Sequence, residues 1–184
     1  MKILVVIDMQ NDFVTGSLGT PEARAIVPRV LSHVKQCAEE GTEVFFTRDT
    51  HTDDYLNTAE GKKLPVAHCV YNTEGWQIIP ELRDIYTAEF GDNLVPIDKP
   101  TFGSVRLAEE LLWISQNMVD SDDVLEIELC GVCTDICVVS NALMLKAFMP
   151  EAKISVRELL CAGTSMDAHR KALDTMRSCQ IDVI

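Results

Sequence analysis

Hydrophobic residues fall in short blocks along the chain, with polar stretches between them. "ILVVI" (3–7), "EVFFT" (43–47), "NLVPI" (93–97), "VLEIEL" (124–129) and "KISV" (153–156) are mostly apolar runs of strand length, and "IDVI" (181–184) is a candidate sixth. Runs without alternation predict strands covered on both faces. Between them the apolar period lengthens. In "PEARAIVPRVLSHVKQCAEEG", Ala23, Ile26, Val27, Val30, Leu31, Val34 and Cys37 recur at three–four spacing, which predicts a helix that Gly41 stops. Pro28 inside it predicts a kink or a break. Segments 104–118, 135–148 and 165–179 repeat the helical pattern, and Ser165 or Asp167 is placed to cap the last of them.

Strands alternating with helices predict a three-layer α/β/α fold with a mainly parallel sheet of six strands. No repeat or linker interrupts residues 1–184, so one domain is expected. Residues 49–92 break the rhythm: they are polar, carry Gly61, Pro65, Gly75 and Pro80, and offer only a short helix near 77–86. An excursion of that length in a small domain is usually functional.

Composition narrows the function classes. The net charge is -13 and the 16 Lys and Arg are scattered, which argues against nucleic-acid binding. "MKILVVID" lacks a signal-peptide pattern, and no apolar run approaches the roughly 20 residues that cross a membrane. A cytoplasmic protein is expected, its seven cysteines reduced. The chain contains neither G-x-G-x-x-G after a strand nor G-x-S-x-G, so neither a nucleotide cofactor nor a serine-hydrolase elbow is supported.

In open parallel sheets, ligands bind beyond the carboxyl ends of the strands. Asp8 follows the first strand, Arg48, Asp49 and His51 the second, Asp98 and Lys99 the third, and a cysteine segment the fourth. That segment holds Cys130, Cys133 and Cys137. Cys130 ends a strand pattern and is expected to pack as a small hydrophobe. The Cys130-x-x-Cys133 spacing also suits half a zinc site or a redox pair, but no second tight ligand pair accompanies it. Cys137 stands where a helix begins, and free N–H groups there lower a thiol pKa and can receive an oxyanion. A thiolate needs a cation or base nearby, with Lys99 as the candidate, and an acid must then protonate the leaving group, with Asp8 as the candidate. Read alone, Asp8 is equally a strand-end cap and Lys99 a surface charge.

Asp49 and His51, with His68 seventeen residues further on, form a second group suited to a divalent metal, and Glu60 offers a fourth ligand. Read alone, both histidines are equally surface residues of a loop. Phe13, Trp76 and Phe102 lie near these motifs and could line a pocket for a flat ring.

Five segments in this order resemble the isochorismatase-like cysteine hydrolases, and within them the nicotinamidase and pyrazinamidase branch. They are "VVIDMQNDF" (5–13), "TRDTH" (47–51), "LPVAHCV" (64–70), "DKPTFGS" (98–104) and "GVCTDICVVSNAL" (131–143). The resemblance covers nearly the whole chain. It implies a catalytic triad of Asp8, Lys99 and Cys137. It also implies a cis peptide between Val132 and Cys133, with the Cys133 and Cys137 N–H groups as the oxyanion hole. The implied metal is zinc, with iron or manganese as alternatives, on Asp49, His51 and His68, completed by Glu60, Asn57 or water. The implied reaction is hydrolysis of a small carboxamide, nicotinamide foremost, through a thioester, by a homodimer or homotetramer.

The resemblance also sets limits. Leu64 and Pro65 stand where many relatives carry an aromatic that stacks on the substrate ring, so stacking falls to Phe13 or Phe102. Isochorismatases proper cleave a vinyl ether without this cysteine, and Cys137 argues against that activity. Two other readings stay open: another amide or ureido substrate, and a non-catalytic protein binding metal through its thiols.

Overall fold

The computed structural model describes residues 1–91, 95–118 and 124–184. Six strands form one sheet in the order β3-β2-β1-β4-β5-β6. They are β1 (Lys2–Ile7), β2 (Glu43–Asp49), β3 (Ile97–Lys99), β4 (Glu126–Val132), β5 (Lys153–Ala162) and β6 (Asp182–Val183). Every pair is parallel. Helices α1 (Asn11–Val14), α2 (Pro21–Glu39), α3 (Pro80–Phe90), α4 (Val105–Gln116), α5 (Val139–Phe148) and α6 (Met166–Ser178) flank it in a three-layer α/β/α arrangement. Among the described residues, no helix is long and apolar enough to cross a membrane.

The apolar runs account for the centre of the sheet. Ile3 to Ile7 of β1 are all buried, between β2 on one side and β4 on the other. The direction of the strand order changes between β1 and β4, the switch point outside whose carboxyl ends open sheets of this kind bind ligands.

Several boundaries differ from the sequence reading. The third strand occupies Ile97–Lys99 rather than 93–97, of which residues 93 and 94 lie outside the described set. Pro96 lacks the N–H a ladder needs, so pairing begins after it. β5 continues through the charged "REL" to Ala162, because β4 has a register irregularity between Leu129 and Gly131 and pairs with it again at Gly131 and Val132. The excursion helix starts at Pro80, a favoured first position, rather than at 77.

Pro28 does not break α2, which runs unbroken from Pro21 to Glu39. Its buried stripe of Ala23, Ile26, Val30, Val34 and Cys37 packs into the core and offsets the backbone hydrogen bond that proline removes. Thr20 caps its start, accepting from the Ala23 N–H at 3.0 Å, and Ser165 caps α6 in the same way.

Candidate active site and metal centre

Asp8 leaves β1 in a left-handed backbone conformation, φ 49°, and its carboxylate meets Thr47 and Lys99. Both Asp8 and Lys99 are fully buried, so the surface reading of the lysine fails. Lys99 Nζ lies 2.6 Å from Asp8 Oδ2, 3.4 Å from Cys137 Sγ and 3.4 Å from Asp49 Oδ1, and donates to the Thr101 carbonyl at 3.3 Å. Asp8, Lys99 and Cys137 arrive from three different strand ends to meet within contact distance.

The approach of β4 to β1 depends on one residue. Gly131 has φ +118°, and a Cβ there would sit 2.1 Å from the Ile7 carbonyl oxygen. Only glycine lets the two backbones meet this closely. The next peptide, Val132–Cys133, is cis. Residues Thr134–Val138 then form one π-helical turn that carries Cys137 before α5 begins.

Electrostatics correct one expectation. A helix start was expected to lower the Cys137 pKa. Instead burial pushes the thiol well above its usual range, the Asp8 charge pushes the same way, and Lys99 only partly counters them. The cysteine lies inside the turn, where burial outweighs the helix end. Burial also raises the Asp8 carboxyl, with Lys99 pulling it back. Burial works against the Lys99 charge, but Asp8, then Cys137 and Asp49, more than offset that, and its pKa is raised.

The second group is equally compact. One ligand atom from each of Asp49, His51 and His68 lies within 4.8 Å of the others, and all three residues are buried. The His68 Nδ1–H donates to the Val66 carbonyl at 2.8 Å, which leaves the Nε2 lone pair facing the cluster. His51 Nε2 is buried without a hydrogen bond, although Asp49 Oδ2 is 2.9 Å away. Burial opposes the Asp49 charge, yet His51, His68 and Lys99 hold its carboxyl well below the usual range. An orphaned imidazole nitrogen, a second lone pair and a carboxylate converging on one point suit a divalent cation. Such an ion would also balance Asp8 and Asp49, two buried carboxylates that share a single lysine. Glu60 is further out, its Oε1 3.7 Å from His51 Nε2 and 4.0 Å from His68 Nε2. Asn57 is exposed and hydrogen-bonds Asp54. Among the described residues no trio of thiols forms a comparable cluster, and Cys130 is fully buried as packing.

A cavity of about 660 Å³ joins the two groups, lined by Cys133, Cys137, Asp49, Glu60 and His68, and by Phe13 and Phe102. Trp76 does not line it. It lies beneath Arg48, whose guanidinium is 3.6 Å from the ring centre, and its Nε1–H donates to Thr50. Arg48 in turn pairs with Asp98 at 2.7 Å, so these two strand-end residues brace each other away from the cavity.

Other residues complete the site without having been singled out in the sequence. Thr47 donates to Asp8 Oδ1 at 2.6 Å. Gln10 accepts from the Asp49 N–H and donates to the Asp49 and Trp76 carbonyls, fixing the backbone of one metal-type ligand. Asn141 donates to the Cys137 and Phe102 carbonyls and accepts from the Ser104 N–H. Of these, only Asn141 carries a sequence signal, as a polar residue inside the apolar helix pattern of 135–148.

The Isochorismatase domain family model matches residues 2–184. The chain belongs to the isochorismatase family. It is 25% identical over 210 residues to the nicotinamidase/pyrazinamidase of Mycobacterium tuberculosis, an alignment covering 100% of this chain and 98% of that protein. The pyrazinamidase/nicotinamidase structure from Streptococcus mutans superposes with a TM-score of 0.82 at 26% identity, covering 100% of both chains. The pyrazinamidase of Pyrococcus horikoshii, solved in complex with zinc, gives 0.78 at 26% identity, covering 100% of this chain and 98% of that one. The two solved structures share the fold described above.

Proposed function

We propose that the protein is a cysteine-dependent amidohydrolase that converts nicotinamide to nicotinate and ammonia. The observation that carries the reading is the buried chain Asp8–Lys99–Cys137 opening onto the cavity, with Lys99 Nζ 2.6 Å from Asp8 Oδ2 and 3.4 Å from Cys137 Sγ. Relatives named as nicotinamidases supply the substrate class.

In this mechanism the resting nucleophile is a thiol, because its pKa is raised by burial. Asp8 takes the Sγ proton as sulfur attacks the amide carbon. Lys99 stabilises the sulfur charge as it develops. The Cys133 and Cys137 N–H groups receive the oxyanion. Asp8 then returns the proton to the departing nitrogen, which leaves as ammonia, and a thioester to Cys137 remains. Water attacks the thioester, Asp8 takes one of its protons, the C–S bond breaks, and the proton returns to sulfur.

Asp49, His51 and His68 would hold a divalent ion, and zinc suits their mixed oxygen and nitrogen donors. When bound, the ion supplies a Lewis-acid docking point for a ring nitrogen of the substrate. Phe13 packs edge-on against His68, with ring centres 5.6 Å apart, and with Phe102 walls the ring's side of the cavity.

A second substrate class is favoured by the cavity's size. About 660 Å³ suits a drug-sized ligand better than one heteroaromatic ring with its amide. A larger amide or a ureido compound would use the same machinery. Ammonia release from nicotinamide and from a panel of carbamoyl compounds, with and without chelator, separates the two. A preference for nicotinamide is expected, and inertness toward every amide would defeat the reading.

A further inference from the structure

The turn that carries Cys137 is fastened to the start of α6 by two polar contacts, one buried and one at the exposed rim of the cavity, where Thr164 forms part of the lining. The Thr134 Oγ1 lies 2.8 Å from His169 Nδ1. Thr134 is fully buried and His169 is 7% exposed. One residue on, Asp135 accepts from the Thr164 N–H at 2.8 Å and from its hydroxyl at 2.5 Å. Between the two contacts sits Gly163, where a Cβ would lie 2.7 Å from Asp135 Oδ1 and 2.9 Å from His169 Cβ. Turn and helix therefore mesh without slack.

We infer that Thr134 and His169 are a positioning pair that fixes the nucleophile turn, and with it the Cys133 N–H and the Cys137 sulfur, against the end of β4. Neither residue lines the cavity, so the pair acts through the turn and not on the substrate. Thr134 directly follows Cys133, and Cys137 lies three positions further along the chain. A shift of the hydroxyl is passed on to both groups. Burial lowers the His169 pKa, which keeps the imidazole neutral and able to present a ring nitrogen to the hydroxyl as donor or acceptor. A turn held only by apolar packing would lack that directional tie. Placement errors of about an ångström cost a reaction of this kind roughly a hundredfold.

The kinetic consequence rests on the amidase reading, and the test therefore has two arms. Thr134→Val keeps the shape and removes the hydroxyl. His169→Leu removes the ring nitrogen, whereas His169→Asn keeps a polar atom near the Nδ1 position. In steady-state assays with nicotinamide, Thr134→Val and His169→Leu are expected to lose about tenfold or more in kcat with KM unchanged, and His169→Asn to recover most of it. In amide hydrogen exchange, residues 133–138 are expected to exchange faster in the first two variants and at the wild-type rate in His169→Asn. Wild-type kcat in Thr134→Val, or His169→Asn as impaired as His169→Leu, would overturn the inference. A wild-type enzyme inert toward nicotinamide would count against the amidase reading alone. The exchange arm would still decide the pair, with unchanged exchange in Thr134→Val overturning it.

Discussion

Thr47 is a small residue with a large share in the site. Its hydroxyl donates to Asp8 Oδ1 at 2.6 Å, which leaves Oδ2 to face Lys99 and the sulfur. Thr47→Val would strip a buried carboxylate of a hydrogen bond and free it to rotate. A loss of about tenfold to a hundredfold in kcat/KM is expected, with Thr47→Ser close to wild type. Cys133 is the opposite case, because the proposed chemistry uses its backbone and not its sulfur. Cys133→Ala should keep most of the ammonia release measured for the wild type. In the sequence, a strand end marked Cys130 as packing and a helix start marked Cys137 as the candidate nucleophile, and the resemblance added the backbone role of Cys133. By spacing alone Cys130, Cys133 and Cys137 were interchangeable, whereas in three dimensions only Cys137 has sulfur beside the Lys99 ammonium. Thr47 was not legible at all, since one threonine in "EVFFT" reads as an ordinary strand residue until its partner 39 positions away is known.

Among the elements, the junction of β1 and β4 is the most demanding. Gly131→Ala would drive a Cβ into the Ile7 carbonyl in a backbone conformation that disfavours side chains. A loss of about 3 kcal/mol or more is expected in urea unfolding, with the site lost alongside. Elsewhere α2 is tied to β4 by a titratable contact. His33 Nε2 meets both the Cys37 thiol and the Glu128 carboxylate, and together they raise its pKa from 6.5 to about 9. A raised folded-state pKa stabilises fully below 6.5, and that contribution is lost as pH rises through about 9. His33→Asn should therefore cost about 1 kcal/mol at mildly acidic pH, and the gap to wild type should close in alkaline buffer. Element types were readable from the apolar period, because β1 and α2 bury what their patterns assign to the core. Boundaries were less so. The start of β3 follows Pro96, and the length of β5 follows an irregularity in its neighbour, neither of which a local pattern encodes.

At the scale of the whole molecule, the parallel sheet brings together residues that are far apart in the chain. The strand-end rule placed Asp8, Asp49, Lys99 and the cysteine segment on one rim, and the cavity lies there. The same rule also gathered Arg48 and Asp98, which instead pair with each other, because adjacent strand-end residues point to opposite faces of the sheet. The metal group spans β2 and the excursion, so an ion bound there would link them. Chelation should lower the melting temperature as well as the activity, and a divalent cation should restore both. An ion at a hundred times its Kd contributes about 2.7 kcal/mol. Ammonia release from nicotinamide, measured side by side for wild type and Cys137→Ala at equal folded concentration, tests the central claim most directly. Release by the wild type and none above background by the variant is the predicted result. A Cys137→Ala protein that still releases ammonia at the wild-type rate would contradict the cysteine mechanism outright.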